Sequence, residues 1–150
     1  MLFCQASIAE RKLVLWAPRG KRSVKKEEEM MAQREELQRE VLKEMISYSD
    51  NLIPAVHEII QELRGEEKED TRDFLNEVIT GINWEIEVYN QCASLINEKT
   101  NFIDKKMMIT AVKNLGTCIG NGEDRQIAEC LEQDFLPFLN KLALAAKMVV

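Results

Sequence analysis

At 150 residues the chain has the length of one domain, and its 45% hydrophobic and 31% charged residues are enough to bury a core without disulfides or metal. Aromatic residues at 6%, six glycines and three prolines suit helices better than strands and turns. No apolar run approaches the roughly 20 residues of a bilayer span, and a formal net charge of −6 argues against a general nucleic-acid binder.

The charge is unevenly spread. Residues 1–29 carry seven basic and four acidic side chains, a balance of +3, whereas residues 30–150 carry thirteen and twenty-two, a balance of −9. The leader lacks the long apolar stretch of a secretory signal, and Pro18 and Gly20 interrupt any amphipathic targeting helix. Two readings stand. One is a disordered basic arm, with Trp16 beside Arg19, Lys21 and Arg22, suited to anionic lipid or RNA. The other is a misread gene start: Lys26-Glu27-Glu28 ahead of Met30 and Met31 can be encoded by a purine-rich ribosome-binding sequence. On either reading the expected domain is 30–150.

Four helical stretches follow. In the first, Leu37, Val41, Met45, Tyr48, Leu52, Val56, Ile59 and Leu63 recur at spacings of three and four, the stripe of a helix with one buried face. The stripe keeps its phase across Pro54, which favours one helix kinked there over two helices meeting near Ser49-Asp50-Asn51, with a stop at Gly65. The second stretch starts at Asp70 or Thr71, with Asp73 and Glu77 near the positive helix end. It has one row through Leu75, Val78, Ile82, Ile86, Tyr89, Ala93 and Ile96, and a second through Phe74, Gly81, Trp84, Val88, Cys92 and Leu95. A helix apolar on two flanks is either central in a bundle or in contact with something else.

The third stretch, about 104–119, carries the apolar residues Met107, Met108, Ala111, Val112, Leu115, Cys118 and Ile119, and Gly120-Asn121-Gly122 closes it. The fourth runs from Asp124 through Ile127, Leu131, Phe135, Phe138, Leu142 and Ala146, with a kink expected near Pro137. Short connections make sequential helices antiparallel neighbours. The expected fold is all-α, an up-and-down bundle of about four helices, either bent or arranged as three plus one.

Catalytic chemistry finds little support. His57 is the single histidine and no Glu-x-x-His is present, so a carboxylate-bridged di-iron site is excluded, as is a site needing several histidines. Cys4, Cys92, Cys118 and Cys130 contain no zinc-type pair. The three in the body read as small core residues in a reducing cytosol. No glycine-rich phosphate loop is present. The acidic pairs Glu66/Glu67 and Glu85/Glu87 read as solvated surface. His57 reads as a boundary residue. Trp84 reads first as core packing and second as an exposed anchor; Met107 and Met108 divide the same way.

Two segments carry a resemblance: Gly81-Ile82-Asn83-Trp84-Glu85, and Asp124 with Ala128-Glu129-Cys130-Leu131-Glu132-Gln133-Asp134-Phe135-Leu136-Pro137. Together they resemble small all-helical bacterial proteins of an uncharacterised family, in which a Gly-x-x-Trp helix precedes an acidic, leucine-rich helix ending in Leu-Pro or Ile-Pro. The resemblance covers about residues 35–142. It implies a bundle and a start after the leader, and it supplies no activity and no site residues.

The expected function is that of a non-enzymatic cytoplasmic bundle that binds an unknown protein as an adaptor, assembly factor or small chaperone-like module. No cofactor, metal, nucleic acid or membrane is expected, and a homodimer is compatible with a leftover apolar flank. Candidate contacts are Phe74, Trp84, Val88 and Leu95. The alternative is a small-molecule or effector-binding bundle with an internal pocket near Trp84.

Overall fold

A proline in the middle of a helix removes one backbone hydrogen bond but does not remove the apolar face on either side of it. The first helix follows that rule. In a computed structural model, which describes residues 24–100 and 103–150, α1 runs unbroken over Val24–Leu63 with Pro54 inside it. Its 40 residues span about 60 Å. The buried stripe is the expected one, from Val41 through Leu63, with Leu37 half-buried at its start. Of the 1–29 leader, residues 24–29 are helix continuous with α1 and 1–23 lie outside the described residues.

After α1, Gly65 takes φ +135, a conformation L-residues with a side chain rarely adopt, and turns the chain. Helix α2 spans Thr71–Lys99. Asp70 occupies its N-cap position without a side-chain bond. The polar anchor is Thr71 instead: its hydroxyl accepts from the Lys68 N–H at 2.7 Å and donates to Oε1 of the buried Glu62 at 2.8 Å. Helix α3 spans Lys105–Asn121; Asp104 caps it by accepting from the Lys106 N–H at 2.9 Å. Gly122, at φ +70, closes its C-terminus with its N–H on the carbonyls of Cys118 and Ile119.

The last helix is continuous but irregular. Helix α4 (Asp124–Cys130) passes through a π turn (Leu131–Phe135) into α5 (Leu136–Val149). The Leu136 N–H reaches back five residues to the Leu131 carbonyl. Pro137 has no N–H and its ring crowds the carbonyl four residues earlier, so the widened turn just before it lets the helix continue. The expected irregularity near Pro137 is therefore a π turn one step upstream of it.

These elements form an all-α bundle of four helices, with no strand among the described residues. Helices α1, α2 and α5 pack on one another, and α3 leans on α4 and the π turn. Of the two arrangements expected, three-plus-one describes it. Helix α2 is apolar on two flanks because α1 covers one and α5 the other: Tyr48 meets Trp84 edge-on at 4.9 Å between ring centroids, and Phe138 meets Tyr89 edge-on at 6.0 Å. Full burial of each such side chain stabilises the fold by roughly 1.5–3 kcal/mol.

Candidate functional site

Three places in this frame depart from a plain core-and-surface division: a buried carboxyl between α1 and α2, the outer face of α3, and a pair of thiols where α3 meets α4.

The carboxyl belongs to Glu85, which is fully buried. The reading of Glu85/Glu87 as a solvated pair is corrected here: Glu87 is exposed, but Glu85 faces α1. Val78, Ile82, Glu85, Tyr89, Cys92 and Ile96 recur at spacings of four and three, so Glu85 occupies a core position of α2. Across the interface Ser49 of α1, also buried, donates to Glu85 Oε1 at 2.5 Å. Burial raises the Glu85 carboxyl to about 8, against the smaller opposing pull of the Ser49 hydrogen bond, so it is mostly neutral at pH 7. Burial, then the carboxylates of Glu85 and Glu77, push the Tyr48 phenol above its ordinary range. Glu85 Oε2, Trp84 Nε1 and Tyr89 OH are buried without a protein hydrogen-bond partner, a concentration of polar atoms that cores of this size rarely leave unsatisfied. Ser49 also lines an open groove of about 510 Å³ between α1 and α5, walled by Asp50, Ile53, Pro54, Asn140 and Leu144 among others.

The residues expected to meet a partner or ligand are mostly inside. Trp84, Val88 and Leu95 are buried in the core and Phe74 is half-buried against it. The structure brings them together as core, and only Phe74 reaches the surface. Trp84 thus follows its core-packing reading, against Tyr48. His57 is exposed.

Exposed apolar side chains lie elsewhere, among them Met31 on α1, Leu144 and Met148 on α5, and a row on α3. Of the seven apolar α3 residues singled out in the sequence, Met108, Ala111 and Leu115 are buried, Met107 and Cys118 are half-buried, and Val112 and Ile119 are exposed. Together with Ile109 and Gly116 they form a row at spacings of three, four and three, with Ile109, Val112 and Ile119 each 40–42% exposed. The reason is geometric: α3 touches the bundle mainly through α4 and the π turn, which cover only one side of its apolar arc. Lys105 and Lys113 stand one turn either side of Ile109, and α3 contains no acidic residue, in a chain whose net charge is −6. Lys105 and Lys106 sit in the first turn, where the helix dipole disfavours cations.

The thiols are the third departure. Cys92 is a buried core residue, pushed up to about 12 by burial. Cys118 and Cys130 are not simple core residues: both are half-buried, with their sulfurs 3.1 Å apart. Periodicity gave no warning of that contact, since the two cysteines lie on different helices. Nearby, ion pairs tie helix ends together, Arg64 with both Glu132 oxygens at 2.8 and 3.0 Å and Arg72 with Asp124. They are exposed and of modest value. The Arg64 guanidinium holds the Glu132 carboxyl below its ordinary range. Among the described residues no helix is long and apolar enough to cross a membrane, and no three His, Cys, Asp or Glu side chains gather as a metal-holding group.

Compared with known proteins, residues 40–145 match a family model described as a domain of unknown function, DUF8042. That span begins inside α1 and ends inside α5, so it takes in all four helices. No curated protein and no solved structure matches the chain.

Proposed function

The chain belongs to the DUF8042 family, and from that premise we propose that it acts without catalysis, by binding another protein through the outer face of α3. The observation that carries this reading is the row Ile109–Val112–Gly116–Ile119, open to solvent on the one helix that the rest of the bundle holds from a single side. Contiguous exposed apolar surface, unlike apolar residues scattered singly, is what interaction sites present. Lysines at 105 and 113, and the absence of acids from α3, select the partner's chemistry: an amphipathic segment whose apolar row is edged with carboxylates. A second copy of this acidic chain is the competing occupant. The setting in this reading is the cytosol of a bacterium.

The test compares capture by the full chain with capture by an Ile109→Asp/Val112→Asp variant, with helicity checked by circular dichroism. A specific acidic partner that is lost from the variant supports the reading. Retention of the same partner by a folded variant rejects it.

A second reading has its own observation. Glu85 Oε2, Trp84 Nε1 and Tyr89 OH, buried without protein partners, favour a small polar guest in the core beside Trp84. A library of small polar metabolites that shifts the thermal midpoint of the wild type, but not of Glu85→Gln, would support it; no shift from any compound would count against it.

A further inference from the structure

The contact between Cys118 and Cys130 is a property of two helices, not of a local sequence motif. Cys118 is in the last turn of α3 and Cys130 ends α4, twelve positions later, with the αL glycine at 122 reversing the chain between them. Their sulfurs are 3.1 Å apart, within S–H···S hydrogen-bond contact, and each is half-buried. Neither is sealed from small reagents in the way that Cys92 is.

We propose that Cys118 and Cys130 are a redox-responsive pair, which forms an intramolecular disulfide by exchange with a small-molecule disulfide and so fastens α3 to the end of α4. In the first step the Cys118 thiolate attacks one sulfur of the reagent. The reagent's S–S bond breaks, one small thiolate leaves and takes up a proton, and a mixed disulfide stands on Cys118. In the second step Cys130 loses its proton to solvent and attacks the Cys118 sulfur, expelling the second small thiolate. In sum, the protein dithiol and one disulfide give the protein disulfide and two small thiols, with two electrons passing from the protein sulfurs to the reagent.

The order follows from the surroundings of Cys130. Burial, the contact with Cys118, and the carboxylates of Asp134 and Glu129 push its thiol up, which favours Cys118 for the first attack. The attack by Cys130 is intramolecular, and proximity offsets a small thiolate fraction. Because α3 is held mainly by α4 and the π turn, the new bond falls at the attachment that positions its outer face.

The test uses the full chain equilibrated with mixtures of 2-hydroxyethyl disulfide and 2-mercaptoethanol, quenched with acid, alkylated and peptide-mapped. The expected result is a peptide joining residues 118 and 130, whose amount follows the disulfide-to-thiol ratio and returns to the dithiol with excess reductant. Cys92 is alkylated only after unfolding. Cys118→Ser and Cys130→Ser each give no internal link, and hydrogen exchange across α3 slows several-fold in the oxidised wild type. The proposal is overturned if no 118–130 link forms at any ratio in the folded chain, if the link joins two chains, or if Cys4 or Cys92 takes the place of either cysteine.

Discussion

Ser49 on α1 donates its hydroxyl hydrogen to Oε1 of Glu85 on α2 at 2.5 Å, and both side chains are closed off from solvent. A serine and a carboxylic acid thus face each other in an interface that is mostly apolar. A buried polar pair with one oxygen, Glu85 Oε2, left without a protein partner costs stability in the core. Here the cost depends on pH.

The Glu85 carboxyl releases its proton at about 8 in the fold and near 4.5 without it. Between those values the folded state binds the extra proton, so stability falls as pH rises through the window and levels off above it. Over the span from 4.5 to 7 this amounts to about 3 kcal/mol. Urea denaturation of the wild type is expected to show a falling midpoint between pH 5 and 8. Glu85→Gln, which keeps an acceptor for Ser49 but cannot ionise, is expected to flatten that slope. A variant with the wild-type slope would assign the pH dependence to another group.

Trp84 and Phe74 share one row but not one environment, and truncation separates them. Trp84→Ala removes the ring packed against Tyr48 and is expected to destabilise by about 3–5 kcal/mol, the range for emptying a buried aromatic site. Phe74→Ala, at a half-buried position, is expected to cost about half as much. Chemical denaturation of the two variants checks the ordering; equal costs would mean that Phe74 is packed as fully as Trp84.

Pro54 is exposed and interrupts the α1 ladder, leaving the Asp50 carbonyl without its usual N–H partner. Pro54→Ala restores that donor and is expected to stabilise the chain by about 1–3 kcal/mol. The thermal midpoint checks it. A loss of stability would show that the bundle depends on the shape the proline imposes on α1.

Gly116 and Gly122 respond in opposite directions to alanine. A Cβ at either meets nothing within 4 Å, so space does not decide the matter. Gly116 is helical, and Gly116→Ala is expected to stabilise α3 by about 0.5–1 kcal/mol. Gly122 sits at φ +70, and Gly122→Ala is expected to destabilise by about 1–2 kcal/mol through backbone strain alone. Circular-dichroism melts of the two variants give the comparison.

Much of the fold was legible in the sequence because burial here follows periodicity. The α1 stripe from Val41 to Leu63, the stop near Gly65 and the close of α3 within Gly120-Asn121-Gly122 all stand where residue type and spacing put them. The candidate sites were less legible, for physical reasons. Glu85 stood in a four–three core row, but its charge drew it to the surface class; only the partner Ser49, 36 positions away, explains its burial. Val112 and Ile119 look like core residues because apolarity marks a buried face without saying how many neighbours cover it. The sulfur contact between Cys118 and Cys130 depends on how α3 meets α4, which no single helix encodes. Periodicity announces no helix before Leu37, because residues 25–36 are largely exposed and carry no regular apolar row.

The outer face of α3 can be interrogated in the cell by placing a photo-crosslinking amino acid at position 112, with position 57 on exposed α1 surface as control. Capture from 112 but not from 57 of a protein whose linked peptide is amphipathic and rich in Asp or Glu is expected, and that capture should weaken when Lys105 and Lys113 are changed to Glu. Equal capture from both positions, capture of only a second copy of the chain, or no capture from 112 while the protein remains folded would contradict binding of an acidic partner through this face.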